Sequence, residues 1–319
     1  MTHPAPLQSS RAIVLHQPYD IRLMPVSIST PEAGDVVVDI SYSGISTGTE
    51  KLLWSGRMPM FPGMGYPLVP GYESVGRVVA SAPGALHEPG DFVFVPGAKC
   101  FGEIRGLFGG AASRLVVPSE RVVAIDPSMG ERGVLLALAA TAHHVYGGDP
   151  NAQPDLIVGH GVLGRLIARL SVMAGHRPVV WETHPGRRSG AQGYEVVDPA
   201  ADDCRSYRRI CDVSGDPSIL DQLIARLAPR GEIALAGFYD AALSFGFPAA
   251  FMREASIRVA AQWQPSDLSA VCALTRSGAL SLDGLITHHG TPEMADAAYR
   301  TAFEDTDCLK MVLDWRDCT

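Results

Sequence analysis

The sequence has no Cys-x-x-Cys pair, and its six cysteines (100, 204, 211, 272, 308 and 318) do not cluster as a zinc lobe requires. It has no dense Lys/Arg run: 26 basic residues face 34 acidic ones, for a net charge of −8. That excludes a nucleic-acid binder held by phosphate contacts. Long hydrophobic runs are missing as well; the longest, 134–142, falls far short of the roughly 18 residues that span a bilayer. The N-terminal stretch, Met1 to Ser10, is polar and contains proline, unlike the charged start and apolar core of a secretory signal. Reduced thiols and a cytoplasmic location are therefore expected. There is no internal repeat and no low-complexity segment. What is present is 46% hydrophobic residues in 319, enough for a real core and too long for a single ordinary one, so two domains are expected. Gly 33 and Pro 24 make the chain turn-rich and exclude a long helical bundle.

The first third reads as short β-branched runs: 11–15, 35–42, 74–80, 91–95, 113–117 and 121–125, each bounded by Gly, Pro or Ser. Many short strands at this spacing predict a sandwich or small barrel. From residue 130 the pattern changes. A helix is predicted over Gly130 to Tyr146, broken by Gly147-Gly148-Asp149-Pro150. Strands at 155–158, 178–182, 195–198, 210–213, 232–236 and 256–261 then alternate with helices at 162–174 and 218–227, the latter opened by Asp216-Pro217. Such alternation builds a doubly wound parallel α/β sheet of the Rossmann kind.

The strongest single motif is Gly159-His-Gly-Val-Leu-Gly164, with a strand directly before it and an amphipathic helix directly after. The first glycine permits a tight turn, the second lets a pyrophosphate approach the backbone, and the third lets helix pack on strand. Val162 and Leu163 open the helix, whose free N–H groups favour the anion. Glu182 closes the next strand 18 residues after Gly164. A carboxylate there binds the ribose hydroxyls and repels a 2′-phosphate, so NAD is preferred over NADP. Arg187 and Arg188, in the following turn, are able to grip that phosphate instead, so NADP stays open. Ser214 and Gly237 end the fourth and fifth strands on the sheet edge where ligands bind, and plain turns remain the alternative for both.

A β-rich domain before a dinucleotide domain, with a short C-terminal return, resembles the medium-chain dehydrogenase/reductase family. The residues that carry this are Pro70-Gly71-Tyr72-Glu73-Ser-Val-Gly76-Arg-Val78, Pro89-Gly90-Asp91-Phe-Val93, Thr141-Ala142-x-His144 and Leu285-Ile286-Thr287-His288. The resemblance implies a GroES-like catalytic domain at 1–125, a dinucleotide-binding domain at 126–267 and a return at 268–319, with Thr141 near the nicotinamide. The departures concern zinc. Ser46 stands where the zinc enzymes have a ligand cysteine, with one residue extra in Gly44-Ile45-Ser46-Thr47-Gly48-Thr49-Glu50. Tyr72 replaces the ligand histidine, and only Glu73 survives. One carboxylate cannot hold the ion, so a zinc-independent member is expected. A narrower resemblance rests on Ser43 to Lys51, Met58 to Tyr72, Ala261 to Leu268 and Asp307 to Trp315. It points to the bacteriochlorophyll-forming branch, which implies a tetrapyrrole substrate (a chlorin or bacteriochlorin) whose hydroxyethyl group is oxidised to acetyl with NAD.

Without zinc, protein groups must stabilise an alkoxide and pass on its proton. Thr49 aligns with the family's proton-relay hydroxyl if Thr47 is the extra residue. Ser46, Tyr72, Glu73 and Lys51 are the other catalytic candidates: a lysine or phenol to stabilise the oxygen, a carboxylate to take the proton. Each has a plainer alternative. Glu50 and Lys51 fit a solvated pair, Glu73 a carboxylate satisfied by backbone N–H groups, and His144 a packed or capping histidine. Trp54 to Tyr66, rich in Met, Pro, Gly and aromatics, reads as a platform for a flat ring or as an ordinary covering loop. Leu243 to Phe247 reads as an edge strand able to pair in a homodimer. An NADPH-dependent quinone or enone reductase and a non-catalytic dinucleotide-binding sensor remain as alternative functions.

Overall fold

The computed structural model describes residues 8–146, 149, 151–260 and 262–318. Residues 1–7, Gly147, Gly148 and Pro150 of the expected helix break, and Ala261 at the head of the 261–268 stretch lie outside the described residues. The chain divides into two compact units, 1–137 with 286–319, and 138–285. Residues 126–137 and 268–285 thus fall in the opposite units from those expected. The physical reason is local packing. The 3-10 segment Pro127–Leu135 lies with the first unit, where a side chain on Gly133 would press on Val75 and Ile125. In the second unit, Arg169 donates to the carbonyls of Ser281 and Asp283 at 2.7 and 2.9 Å, binding 281–283 to it.

The first unit begins with a hairpin of β1 (Gln8–Gln17) and β2 (Asp20–Ile28), a two-stranded antiparallel sheet. β2 was not expected from the sequence because Pro25 interrupts it. It pairs on one side only, the position where a strand tolerates proline. β3 (Asp35–Ile45), α1 (Thr49–Ser55), β4 (Ser74–Ser81), β5 (Phe92–Val95), β6 (Arg114–Pro118) and β7 (Val123–Ala124) follow. The α-helical part of the expected 130–146 helix is α2 (Leu136–Tyr146); Gly130, with φ of +50°, interrupts the turn before it.

The second unit continues with β8 (Leu156–Val158), α3 (Val162–Met173), β9 (Val179–Trp181), β10 (Glu195–Val197), β11 (Tyr207–Asp212), α4 (Leu220–Arg226), β12 (Leu227–Leu235), α5 (Phe247–Arg253), β13 (Ser256–Val259) and α6 (Pro265–Arg276). The chain then returns to the first unit through β14 (His288–Gly290), α7 (Ala295–Glu304) and β15 (Met311–Asp314). α4 starts later than expected, because Asp216 caps a turn at Ser218 rather than the helix.

The first unit's large sheet runs β14-β15-β3-β4-β5-β7, with β6 also on β3. β3 is its spine, paired with β4, β6 and β15, and reads as an apolar run: Val36, Val37, Val38, Ile40 and Ile45 are buried. Each such side chain contributes about 1.5–3 kcal/mol on burial. The second unit's sheet is parallel, ordered β10-β9-β8-β11-β12-β13. Central β8 is buried throughout, as a strand covered on both faces should be. The two halves of the sheet part between β8 and β11, the point where such folds bind ligands. Leu243 to Gly246 is not a strand: it is an irregular lead-in to α5, and the sheet edge is β13. Among the described residues no helix is long and apolar enough to cross a membrane.

Candidate active site

In the first unit, three segments meet where β3 ends. β4 runs antiparallel to β3, with Ser43 opposite Ser74, and β15 runs antiparallel on the other side, with Met311 opposite Ile45. This register brings Ser46, Glu73 and Lys310 together, one residue outside each strand. The Glu73 carboxylate lies so close to the β3 backbone that a Cβ on Gly44 would sit 2.3 Å from its Oε2, so Gly44 is required for close approach. Lys310 Nζ donates to Glu73 Oε2 at 2.7 Å and to the Ile45 carbonyl at 3.2 Å. Both partners are essentially inaccessible, at 1% and 0%. Burial raises the Glu73 carboxyl's pKa, and the ammonium opposes the rise. One Glu73 oxygen is therefore held by a buried cation rather than by backbone N–H groups, and its other oxygen, Oε1, is buried without a hydrogen-bond partner.

The hydroxyl candidates form a second layer. Tyr72 donates to Ser46 Oγ at 2.5 Å, and the Thr49 side chain is close enough to the same phenol to lower its pKa slightly against the rise. Burial, reinforced by Glu73, pushes the Tyr72 pKa up, so the phenol stays protonated. Ser46 N and Tyr299 OH donate to the two oxygens of Glu50 at 3.0 and 3.0 Å. Glu50 is buried, not a solvated partner of Lys51. Burial is the main cause that pushes it up to about 8; the Glu73 charge adds to the rise, while the Ser46 N–H and Lys310 oppose it. Lys51 leaves this cluster: its ammonium caps the end of α7 at the Phe303 carbonyl, 2.8 Å away. The structure thus joins Ser46, Thr49 and Tyr72 to each other, pairs Glu73 with Lys310, and sets Lys51 aside.

Within 54–66, Trp54 and Ser55 finish α1, and the remainder is irregular. Phe61, Met64 and Tyr66 pack on their own unit's core, whereas Met60 is exposed. Zinc is the metal this fold class implies, and the donors present do not fit it. A serine and a phenol spend themselves on each other, the Glu73 carboxylate is neutralised by an ammonium, and Glu50 is taken up by Ser46 N and Tyr299 OH. Among the described residues no group of three His, Cys, Asp or Glu side chains is placed to hold a metal ion.

In the second unit, Gly159 has a φ of +106°, and its N–H bonds the Trp181 carbonyl at 2.9 Å. A Cβ on Gly164 would sit 1.9 Å from the Gly159 carbonyl, so helix packs on strand only with glycine there. A Cβ on Gly161, the residue before Val162, would meet nothing within 4 Å: the backbone there is open to an approaching group. Val162 is buried beneath the helix start, and Leu163 is partly covered. Ser214 N and Gly237 N bond Asp212 at 2.9 and 3.1 Å, so both residues sit at the ends of β11 and β12, beside the glycine loop. Asp212 is itself buried and held by Tyr239 at 2.7 Å. Glu182 accepts the N–H groups of His160 and His184 at 3.2 and 2.8 Å. Arg188 is committed to the carbonyls of Glu182 and Thr183 and to Asp198. Thr141 lies half-buried on α2. One turn on, His143 and His144 share Asp267, each at 2.8 Å, which makes His144 a packed and paired histidine. The residues of this cradle fit a dinucleotide.

A glycine cradle on a doubly wound sheet, set into a chain whose other unit is β-rich, defines the two-domain alcohol dehydrogenase class. Residues 32–127 match the alcohol dehydrogenase GroES-like domain. The chain is 59% identical over 310 residues to 2-desacetyl-2-hydroxyethyl bacteriochlorophyllide A dehydrogenase of Rhodobacter capsulatus, covering 97% of this chain and 99% of that one. It is 58% identical over 311 residues to the protein of the same name from Cereibacter sphaeroides, covering 96% and 98%. In fold it is similar to an Escherichia coli alcohol dehydrogenase solved with NADH, at a TM-score of 0.80 and 21% identity over 96% of this chain and 99% of that one. The chain belongs to the medium-chain dehydrogenase/reductase family and groups within it with these bacteriochlorophyllide dehydrogenases.

Sequence reasoning missed Lys310, Tyr299 and Asp212. The signal for Lys310 was its place among the apolar residues Leu309 and Met311-Val-Leu313, where an unpaired lysine does not belong.

Proposed function

We propose that this protein oxidises the 1-hydroxyethyl side chain of a bacteriochlorophyllide-type tetrapyrrole to an acetyl group, with NAD as the acceptor and no catalytic zinc. The observation that carries the activity is the near-full-length identity with the two relatives of that name. When bound, the dinucleotide accepts the carbinol hydride. Gly159, Gly161, Val162, Leu163 and Gly164 are the residues to cradle its pyrophosphate, and Glu182 its ribose, with Ser214, Gly237 and Thr141 as further contacts. Arg188 supports NAD over NADP, since a guanidinium already bound to Asp198 and two carbonyls is withdrawn from a 2′-phosphate.

The Thr49, Tyr72 and Ser46 hydroxyls form a connected set able to bond the carbinol oxygen and pass its proton on. Glu73 and Lys310 fix a buried dipole behind them. The bonds balance: the carbinol C–H pair would go to the nicotinamide as hydride, the O–H proton would be relayed by the hydroxyls to solvent water, and C=O forms in place of the C–H and O–H bonds. The test is absorbance of a 3-(1-hydroxyethyl) chlorin incubated with the protein and NAD. The expected result is an acetyl chlorin with equimolar NADH. Oxidation of small alcohols with the chlorin left intact overturns the substrate.

A further inference from the structure

The segment between β9 and β10 lacks the α-helix that a strand–helix–strand unit would place there; it has one 3-10 turn, Pro185–Arg188. Its carbonyls therefore lack the run of helical N–H donors, and apart from His184, bonded by the Arg187 N–H, they look to donors elsewhere. Five of them find donors on side chains, Gly186 from the Ser189 hydroxyl at 3.3 Å. Arg188 serves Glu182 and Thr183. His160, inside the glycine loop, donates from Nδ1 to the Arg187 carbonyl at 2.6 Å, a direction fixed because a carbonyl only accepts. Its Nε2 then accepts from Tyr194 OH at 2.8 Å. Arg165, the first residue after the glycine motif, donates to the carbonyls of Arg187 and Ser189 at 3.0 and 2.9 Å, and to that of His160 at 3.0 Å. A Cβ on Gly190 would lie 2.5 Å from the same guanidinium, which packs against the backbone there.

Arg165 is 4% exposed; its hydrogen-bond partners are carbonyls, and the Glu182 charge acts on it without a direct ion pair. A buried guanidinium with only carbonyl partners is costly to keep for packing alone. Its three carbonyls lie on both sides of Glu182: one in the glycine loop, two beyond the His184 whose N–H holds the Glu182 carboxylate. We propose that Arg165 is a positioning residue for cofactor choice: it ties segment 184–190 to the glycine loop and so fixes the Glu182 carboxylate against a 2′-phosphate. This rests on the reading that the second unit binds NAD.

The test uses the full-length protein, Arg165→Met and Arg165→Lys, with direct titration of NAD and of NADP by quenching of tryptophan fluorescence. Arg165→Met weakens NAD binding and lowers the NAD/NADP affinity ratio by about tenfold, the scale of one well-placed hydrogen-bonding group. Arg165→Lys recovers part of the ratio, because an ammonium cannot fork across three carbonyls. Brief trypsin treatment without cofactor then cleaves faster after Arg187 and Arg188 in Arg165→Met, with other sites unchanged. A purely structural defect lowers both affinities together and leaves their ratio intact, and that result overturns the proposal. Wild-type protein that binds neither dinucleotide, or prefers NADP, overturns the NAD reading instead.

Discussion

Replacing Lys310 with methionine removes the cation from a pair in which both partners are inaccessible to solvent. Methionine matches the stem in length and has no charge, so the loss is electrostatic. Breaking a buried pair on one side costs about 3–5 kcal/mol, because a carboxylate is left without its compensating charge. The unit that holds the pair comprises residues 1–137 and 286–319, and for a domain of that size the loss corresponds to a fall in melting temperature of about 6–20 °C. The loss depends on pH. Without Lys310 only burial acts strongly on Glu73, its pKa rises further, and at low pH it takes up a proton and relieves the penalty. The destabilisation is therefore smallest at acidic pH and grows as pH rises through the folded-state pKa. Urea unfolding read by tryptophan fluorescence measures it, since Trp54 and Trp315 are buried in this unit. The double variant Glu73→Gln/Lys310→Met removes both charges and recovers most of the loss. A single variant as stable as wild type at alkaline pH, or a double variant as unstable as the single one, refutes the reasoning.

Glu50→Gln keeps an acceptor for the Ser46 N–H, turns the Tyr299 bond into one that the amide donates to the phenol oxygen, and removes a titration. With its folded pKa raised from 4.5 to about 8, Glu50 gives stability fully present below 4.5 and lost as pH rises toward 8, about 5 kcal/mol in all. Urea midpoints between those limits should fall with pH in wild type and fall far less in the variant. His160→Gln tests the opposite sign. Burial is the main cause that lowers the His160 pKa from 6.5 to about 4, so its share of stability is present above 6.5 and lost as pH falls toward 4, about 3 kcal/mol. The variant should be less stable at pH 7 and show a flatter acid limb; an unchanged acid limb counts against a buried neutral histidine.

The glycine cradle was legible in the sequence because it is local: strand, loop and helix lie within twenty residues, Gly159 and Gly164 answer steric demands of the backbone, and Gly161 leaves open the approach its motif position implies. The Ser46 and Tyr72–Glu73 segments were found by their motifs. Their partners were not, since the bonds that define the cluster join residues 237 and 249 positions apart. No local pattern announces that Lys310 will meet Glu73, or that Tyr299 will cover Glu50. β2 was hidden by Pro25, and α1 by its setting between Gly48 and Gly56. Leu243, Phe245 and Phe247 alternate as a strand would, but Phe245 and Phe247 are exposed and lead into α5, so the alternation follows no sheet.

In the proposed reaction, alcohol oxidation rests on a hydroxyl and ion-pair cluster instead of a metal. The most direct test is turnover of a 3-(1-hydroxyethyl) chlorin with NAD by protein stripped with a strong chelator, its metal content determined by mass spectrometry on the same sample. The expected result is equimolar NADH and acetyl chlorin at an undiminished rate with zinc far below one equivalent, and no gain when zinc is added back. A rate that rises and falls with bound zinc contradicts it.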